Sequence, residues 1–332
     1  KPVDQADTTH YYWGKCDTNM SFSRIGLRGS IDYSFYNGVG IALRGGIAEY
    51  SVKNPTYTGN PSYDPTTGIP SNQAFAGSPD PFLGAIQSYL TGPGSRDAIG
   101  TSMGISSGGA KNTGVEDATV ELYWRKGFGM KDSEGDLVVT ATPLAALSIT
   151  LPSAENEPVG KVWDISLGSD GFYGLTGQAE VSFDFPGTLN VGVGASGTYF
   201  NEDNIGSQFV PTSIYQSVLY PWQATVTKRP GTLWKAYGTV RAIRFVDGLS
   251  CFVNYTYVAH EKDTLTLSGA NSTHFVASKL AEDGSYSGQV AQIGFEYEVT
   301  PALRFGCALQ SVFAGTRIWR TTTFAGSLSF VY

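Results

Sequence analysis

The stretch Thr322-Thr-Phe-Ala-Gly-Ser-Leu-Ser-Phe-Val-Tyr332 alternates strictly. Phe324, Gly326, Leu328, Phe330 and Tyr332 share one parity; Thr323, Ala325, Ser327, Ser329 and Val331 share the other. Successive side chains of a β-strand point to opposite faces, so a period of two predicts a strand with one apolar face and one small or polar face. One such strand is common in any β-protein, and the fold is decided by whether the rest of the chain repeats it.

It does. Ile25, Leu27, Gly29, Ile31, Tyr33 and Phe35 alternate with Arg24, Gly26, Arg28, Ser30, Asp32 and Ser34, and Asn37-Gly38 then supplies a type I′ hairpin turn. The partner strand carries Val39, Ile41 and Leu43 against Arg44 and fades near Val52. Further strands are predicted from Asp117, over Leu137–Leu151, Tyr173–Phe185, Leu189–Thr198, Leu233–Val246, Leu249–His260, Tyr286–Val299 and Leu303–Phe313. Pro143 has no N–H to give a neighbour and implies a bulge or an unpaired position. The aromatic knot His10-Tyr-Tyr-Trp-Gly14 is expected to open the chain as a short first strand.

Composition narrows the class. Charged residues are 15% and aromatics 13%, with 41 glycines in 332 residues; an ordinary soluble domain has about 25% charged residues. Mean hydropathy is −0.12, and no run approaches the roughly 18 apolar residues of a membrane helix. A transmembrane sheet escapes that test, because only alternate residues face lipid. The net charge of −7 argues against nucleic acid as a partner. Three cysteines make no disulfide framework; Cys251 and Cys307 fall on apolar phases with a strand expected between them, too far apart to bond.

The connections alternate in length. Turns at Asn37-Gly38, Met130–Gly135, Pro186-Gly187, Asp247-Gly248 and Thr300-Pro301 are short, and the connections at 53–116, 152–171, 201–232, 261–285 and 314–321 are longer. Pro81–Leu90 gives the long connection 53–116 its one helical suggestion. In strand alternation, turn lengths and the terminal Phe330 and Tyr332, the chain resembles bacterial outer-membrane β-barrel proteins of porin type. No motif singles out one family within them. The resemblance implies an all-β, antiparallel up-and-down barrel of about 12 strands, with 14 or 16 as alternatives, short periplasmic turns and long extracellular loops. It implies one domain over 1–332, with 53–116 folded into the lumen, and Phe330 and Tyr332 as an assembly signal for the barrel-assembly machinery. The sequence is then a mature form without its leader.

On this expectation Trp124, Trp234, Tyr173, Phe185, Tyr199, Tyr255, Tyr257 and Tyr332 face lipid, and a soluble sandwich core is the alternative for the same residues. The opposite face lines the pore with Arg24, Arg28, Asp32, Arg44, Glu121, Arg125, Glu180, Lys235, Arg241, Glu296 and Arg304. Arg24, Arg28, Arg44 and Arg125 are expected to form one basic wall. Charges pointing inward are costly in a dry core and natural against water; ordinary inward salt bridges in a closed or plugged barrel are the alternative.

Other motifs carry little. Gly192-Val-Gly-Ala-Ser-Gly197 matches a dinucleotide fingerprint but lies within an alternating strand. His10, His260 and His274 lack zinc spacing, and no metal or cofactor is expected. His260 beside Glu261 is the sole enzymatic candidate, and the chain is expected not to be an enzyme. The leading function is an outer-membrane diffusion channel for small hydrophilic solutes. Alternatives are a channel for hydrophobic compounds, to which Ser148-Ile-Thr-Leu-Pro152 points, and a surface recognition or adhesin barrel. Expected partners are outer-membrane lipid and, in a homo-oligomer such as a trimer, further copies of the chain.

Overall fold

A computed structural model describes residues 15–60, 106, 108–154, 166–212, 220, 222–269, 274–318 and 321–330. The elements in chain order are β1 (Lys15–Ser34), β2 (Val39–Asn60), β3 (Ala110–Val115), β4 (Ala118–Arg125), β5 (Phe128–Lys131), β6 (Leu137–Leu151), β7 (Gly174–Phe185) and β8 (Leu189–Phe200). They continue with β9 (Asp203–Val210), β10 (Trp222–Arg229), β11 (Leu233–Val246), β12 (Leu249–His260), β13 (Thr264–Ser268), α1 (Ala277–Asp283), β14 (Tyr286–Thr300), β15 (Leu303–Thr316) and β16 (Thr322–Phe330).

Two compact units share the chain: Lys1–Gly26, Ala48–Thr113 and Glu157–Ile165 form one, and Leu27–Ile47, Gly114–Asn156 and Ser166–Tyr332 the other. In the first, Ala48, Tyr50 and Val52 of β2 are buried and Lys111 pairs with Glu49 at 3.0 Å. The second holds most of a large sheet.

That sheet is antiparallel, in the order β1-β2-β4-β6-β7-β8-β11-β12-β14-β15-β16, with β3 beside β2 and β5 beside β6. Neighbours on this path are neighbours in the chain once the long connections are set aside. This is the up-and-down topology expected from the alternation, and the fold is that of a transmembrane β-barrel sheet. Eleven strands lie on the path, matching those expected from Arg24 onward; the expected strand at His10 lies outside the described residues, as do Pro81–Leu90 and Tyr332.

Local chemistry sets the turns. Asn37 and Gly38 both take positive φ, 65° and 82°, the left-handed pair that a type I′ turn requires. A Cβ on Gly38 would lie 2.1 Å from the Arg125 carbonyl oxygen. The expected turn at Met130–Gly135 is displaced: β5 occupies Phe128–Lys131, and Asp132 caps the turn by accepting from the Glu134 and Asp136 amides, both at 2.9 Å. Pro143 sits opposite the break between β4 and β5, whose pairings with β6 stop at Arg125↔Leu144 and resume at Phe128↔Ala141. Pro143 has no N–H to give there, and its carbonyl accepts from the Lys126 amide at 3.4 Å. Cys251 and Cys307 are both free and each pairs with Phe295, so β14 lies between them.

Burial in this sheet is inverted. On β4, Glu121 and Tyr123 are buried while Leu122 is 57% exposed and Trp124 is open. On β6, Ser148 is buried between Leu147 and Ile149, which are exposed. Trp234, Tyr173, Phe185, Tyr199, Tyr255 and Tyr257 are all exposed on the same outer face. A sandwich core would bury these rings; a sheet standing in lipid leaves them outward. Among the described residues no helix is long and apolar enough to cross a membrane.

Three connections expected to be plain loops carry structure. Residues 201–232 and 261–285 supply β9, β10, β13 and α1, with the order β13-β10-β9 forming a second sheet. Val210, Ala224 and Val226 are its buried core, packed by Ile205, Leu265, Leu267, Phe275 and Leu280. In the 53–116 connection, β2 runs on to Asn60 and β3 begins at Ala110; the segment between lies almost wholly outside the described residues.

Candidate functional site: the polar face of the large sheet

Every other residue of the long strands faces away from the apolar side, and there the expected charged residues are found. Arg44 on β2 grips Glu121 on β4 with both terminal nitrogens, each at 2.8 Å. Arg28 on β1 makes a two-pronged contact with Glu116 through Nε and Nη2, at 2.5 and 3.0 Å. Arg241 on β11 pairs with Glu296 on β14 across the intervening β12. Glu298 takes Arg244 at 2.8 Å and Arg304 at 3.5 Å.

Two tyrosines brace the sheet in the same way. Tyr123 on β4 lies over Gly40 on β2, where a Cβ would come within 2.2 Å of its ring, and reaches β1. There its hydroxyl donates to Asp32 at 2.5 Å and meets the Ser34 hydroxyl at 2.8 Å. Tyr237 on β11 lies over Gly194 on β8, with 2.5 Å to an added Cβ. Its hydroxyl donates to Glu180 on β7 at 2.7 Å and accepts from Gln178 at 2.8 Å. Only a glycine leaves room for each ring to cross a strand. Because side chains two strands apart meet here, the sheet curls toward this face.

Four arginines were expected to form one basic wall. Arg28 and Arg44 are each forked onto a glutamate, Arg125 lies over the Tyr123 ring at 5.6 Å, and Arg24 belongs to the other compact unit. Glu116 was missed from sequence because it closes a long connection; an acidic pair, Glu116-Asp117, directly before a strand was the available signal. Also missed was a row of neutral side chains in register across four strands: Thr239, Asn254, Gln292 and Gln310. The Thr239 hydroxyl donates to Asn254 at 2.5 Å, and Asn254 donates to Gln292 at 3.0 Å. Strand parity would have placed them, but charge alone was followed.

Above the strand ends, Asp263 ties the two long connections together. It is buried, accepts from the Gly231 amide at 2.9 Å and pairs with Lys228 at 3.1 Å. Nearby, Arg317 donates to Ser285 and to the Glu282 carboxylate, each at 3.0 Å. That contact holds the Glu282 carboxyl below the usual carboxylate range, with help from the charge of Lys262. His260 bonds the Gly284 carbonyl through Nδ1 at 2.9 Å and stacks its ring on Tyr286. Among the described residues no grouping of His, Cys, Asp and Glu could hold a metal ion.

No family model and no curated protein sequence matches the chain. Similar solved structures include an outer-membrane channel, COG4313, from Pseudomonas putida F1, at 11% identity and TM-score 0.45 over 98% of this chain and 97% of that one. Two OmpT structures, an outer-membrane protein of Vibrio cholerae, are also similar. The loop-deleted form has 13% identity and TM-score 0.32 over 95% and 99% of the two chains. The other has 12% identity and TM-score 0.27 over 92% and 88%. The expectation that the chain is not an enzyme is withdrawn: OmpT structures stand among these likenesses, and missing sequence motifs do not decide a barrel's activity. Strand order and inverted burial, taken together, make this an outer-membrane β-barrel fold.

Proposed function

We propose that the protein is an outer-membrane channel through which small hydrophilic solutes diffuse along the polar face of the large sheet. One observation carries this reading: the arginine side chains of that face are open to water while the opposite face is apolar and also exposed. Arg28 and Arg44 have side-chain exposures of 71% and 50%. Charges of this kind in a dry, packed interior would cost several kcal/mol each, on the order set by desolvation; a water-filled lumen removes that cost. The apolar face fits the hydrocarbon of the membrane. The roles of 53–116 in narrowing the lumen and of Phe330 and Tyr332 in assembly belong to the same proposal.

The test is single-channel recording in a planar bilayer, using protein whose folding is verified by heat-modifiable migration and β-rich circular dichroism. Discrete conductance steps are expected. Stable zero conductance from folded protein would overturn the reading.

A further inference from the structure

We propose that this channel prefers anions, with Lys235 the residue whose charge most simply sets the preference; the proposal rests on the channel reading above. The overall charge of −7 would suggest the reverse. What matters to a permeating ion is which member of each pair meets the water, and apart from Arg241–Glu296, even at 33% and 29%, the pairs of this face are lopsided.

In the Arg28–Glu116 pair the side-chain exposures are 71% and 9%, and in the Arg44–Glu121 pair 50% and 7%. Glu298 is 18% exposed behind Arg244 at 60% and Arg304 at 42%. Each carboxylate is recessed and committed to its partner, whereas the guanidinium stands forward with N–H groups to spare. The wetted surface is therefore richer in cationic donors than the formal count implies, and donor-bearing cations coordinate anions.

Lys235 adds a charge with no recessed acid behind it. Its register partners are Ser196 on β8 and Val258 on β12, both neutral, and no ion pair to it is found among the described residues. It is exposed on the polar face. Four groups oppose the preference: Asp32, which is held by Tyr123, Glu180, which is held by Tyr237, Glu296, which is held by Arg241, and Asp184, near the turn end of β7. Neither register partner of Lys235 is acidic.

The experiment is a reversal-potential measurement across a planar bilayer with a KCl gradient. Wild-type protein is expected to pass chloride over potassium. Lys235→Gln should lower the chloride-to-potassium permeability ratio by about two- to threefold, the effect of one unit charge at lumen distances in water, and Lys235→Glu should lower it further. Both variants keep every ion pair described here, and heat-modifiable migration verifies their folding. A conducting wild-type channel that is unselective or favours potassium would overturn the anion preference while leaving the channel reading intact. An unchanged ratio in Lys235→Glu would overturn the role of Lys235. Absence of conductance would overturn both readings.

Discussion

The large sheet and the small β13-β10-β9 sheet are made from one chain under opposite burial rules. In the large sheet Glu121 is 5% exposed and Leu122 beside it 57%; in the small sheet Val226 is 0% exposed and its neighbours Thr225 and Thr227 take the other phase. Both alternate, so period alone does not tell which face is inside. The surroundings decide. Where hydrocarbon stands outside, apolar side chains turn out and polar ones turn to an aqueous lumen; where water stands outside, the apolar side chains must pack together. The small sheet sits in the connections on the long-loop side, where the chain has left the membrane.

The comparison breaks most sharply with one substitution made in both places. Val226→Arg puts an unpaired charge into the small core, and the small sheet is expected to unfold, seen as new protease cleavage between 203 and 268 with heat-modifiable migration of the barrel retained. Val193→Arg, on the apolar face of β8 where Val193 is 53% exposed, should destabilise the large sheet by about 2–4 kcal/mol in urea titrations in lipid vesicles. If the small sheet survived Val226→Arg, its core would not be a soluble-type core at all.

Second in size is Arg44→Ala. It strands Glu121 on the polar face, and a loss of about 1–3 kcal/mol is expected in the same titration; no loss would mean that lumen water solvates Glu121 well enough unaided. Smallest is a pH effect confined to the loops. The Glu282 carboxyl is depressed below its ordinary 4.5 by Arg317, so the contact's contribution is fully present above the ordinary value and is lost as pH falls through the lower, folded one. Hydrogen exchange of the Ser285 amide is expected to stay slow at pH 5 and to quicken only below the usual carboxylate range. In Arg317→Gln the quickening should begin within that range.

Sequence served the two sheets unequally, for the same physical reason. Long alternations such as Leu233–Val246 and Leu249–His260 match the observed strands end to end, because lipid on one side and water on the other enforce the alternation over the whole span. The strands Asp203–Val210, Trp222–Arg229 and Thr264–Ser268 are short and flanked by polar residues, and their alternation was lost in the loop composition around them. For the site, strand parity placed Arg44, Glu121, Arg241 and Glu296 on one face, but which acid each arginine holds depends on cross-strand register. Tyr123 and Asp32 are 91 positions apart in the chain, a pairing no local pattern reveals.

The two tyrosines laid over glycines bear on a different question, how strands find their alignment during assembly. A slip of one residue turns every apolar side chain to the lumen and is rejected by the membrane itself. A slip of two keeps the faces correct, and lipid does not notice it. Tyr123 would then meet Ala42 or Gly38 in place of Gly40, and its hydroxyl would miss Asp32; Tyr237 would likewise lose Glu180. Each ring thus acts as a vernier mark between three strands, penalising the even-numbered errors that hydrophobic patterning leaves unedited.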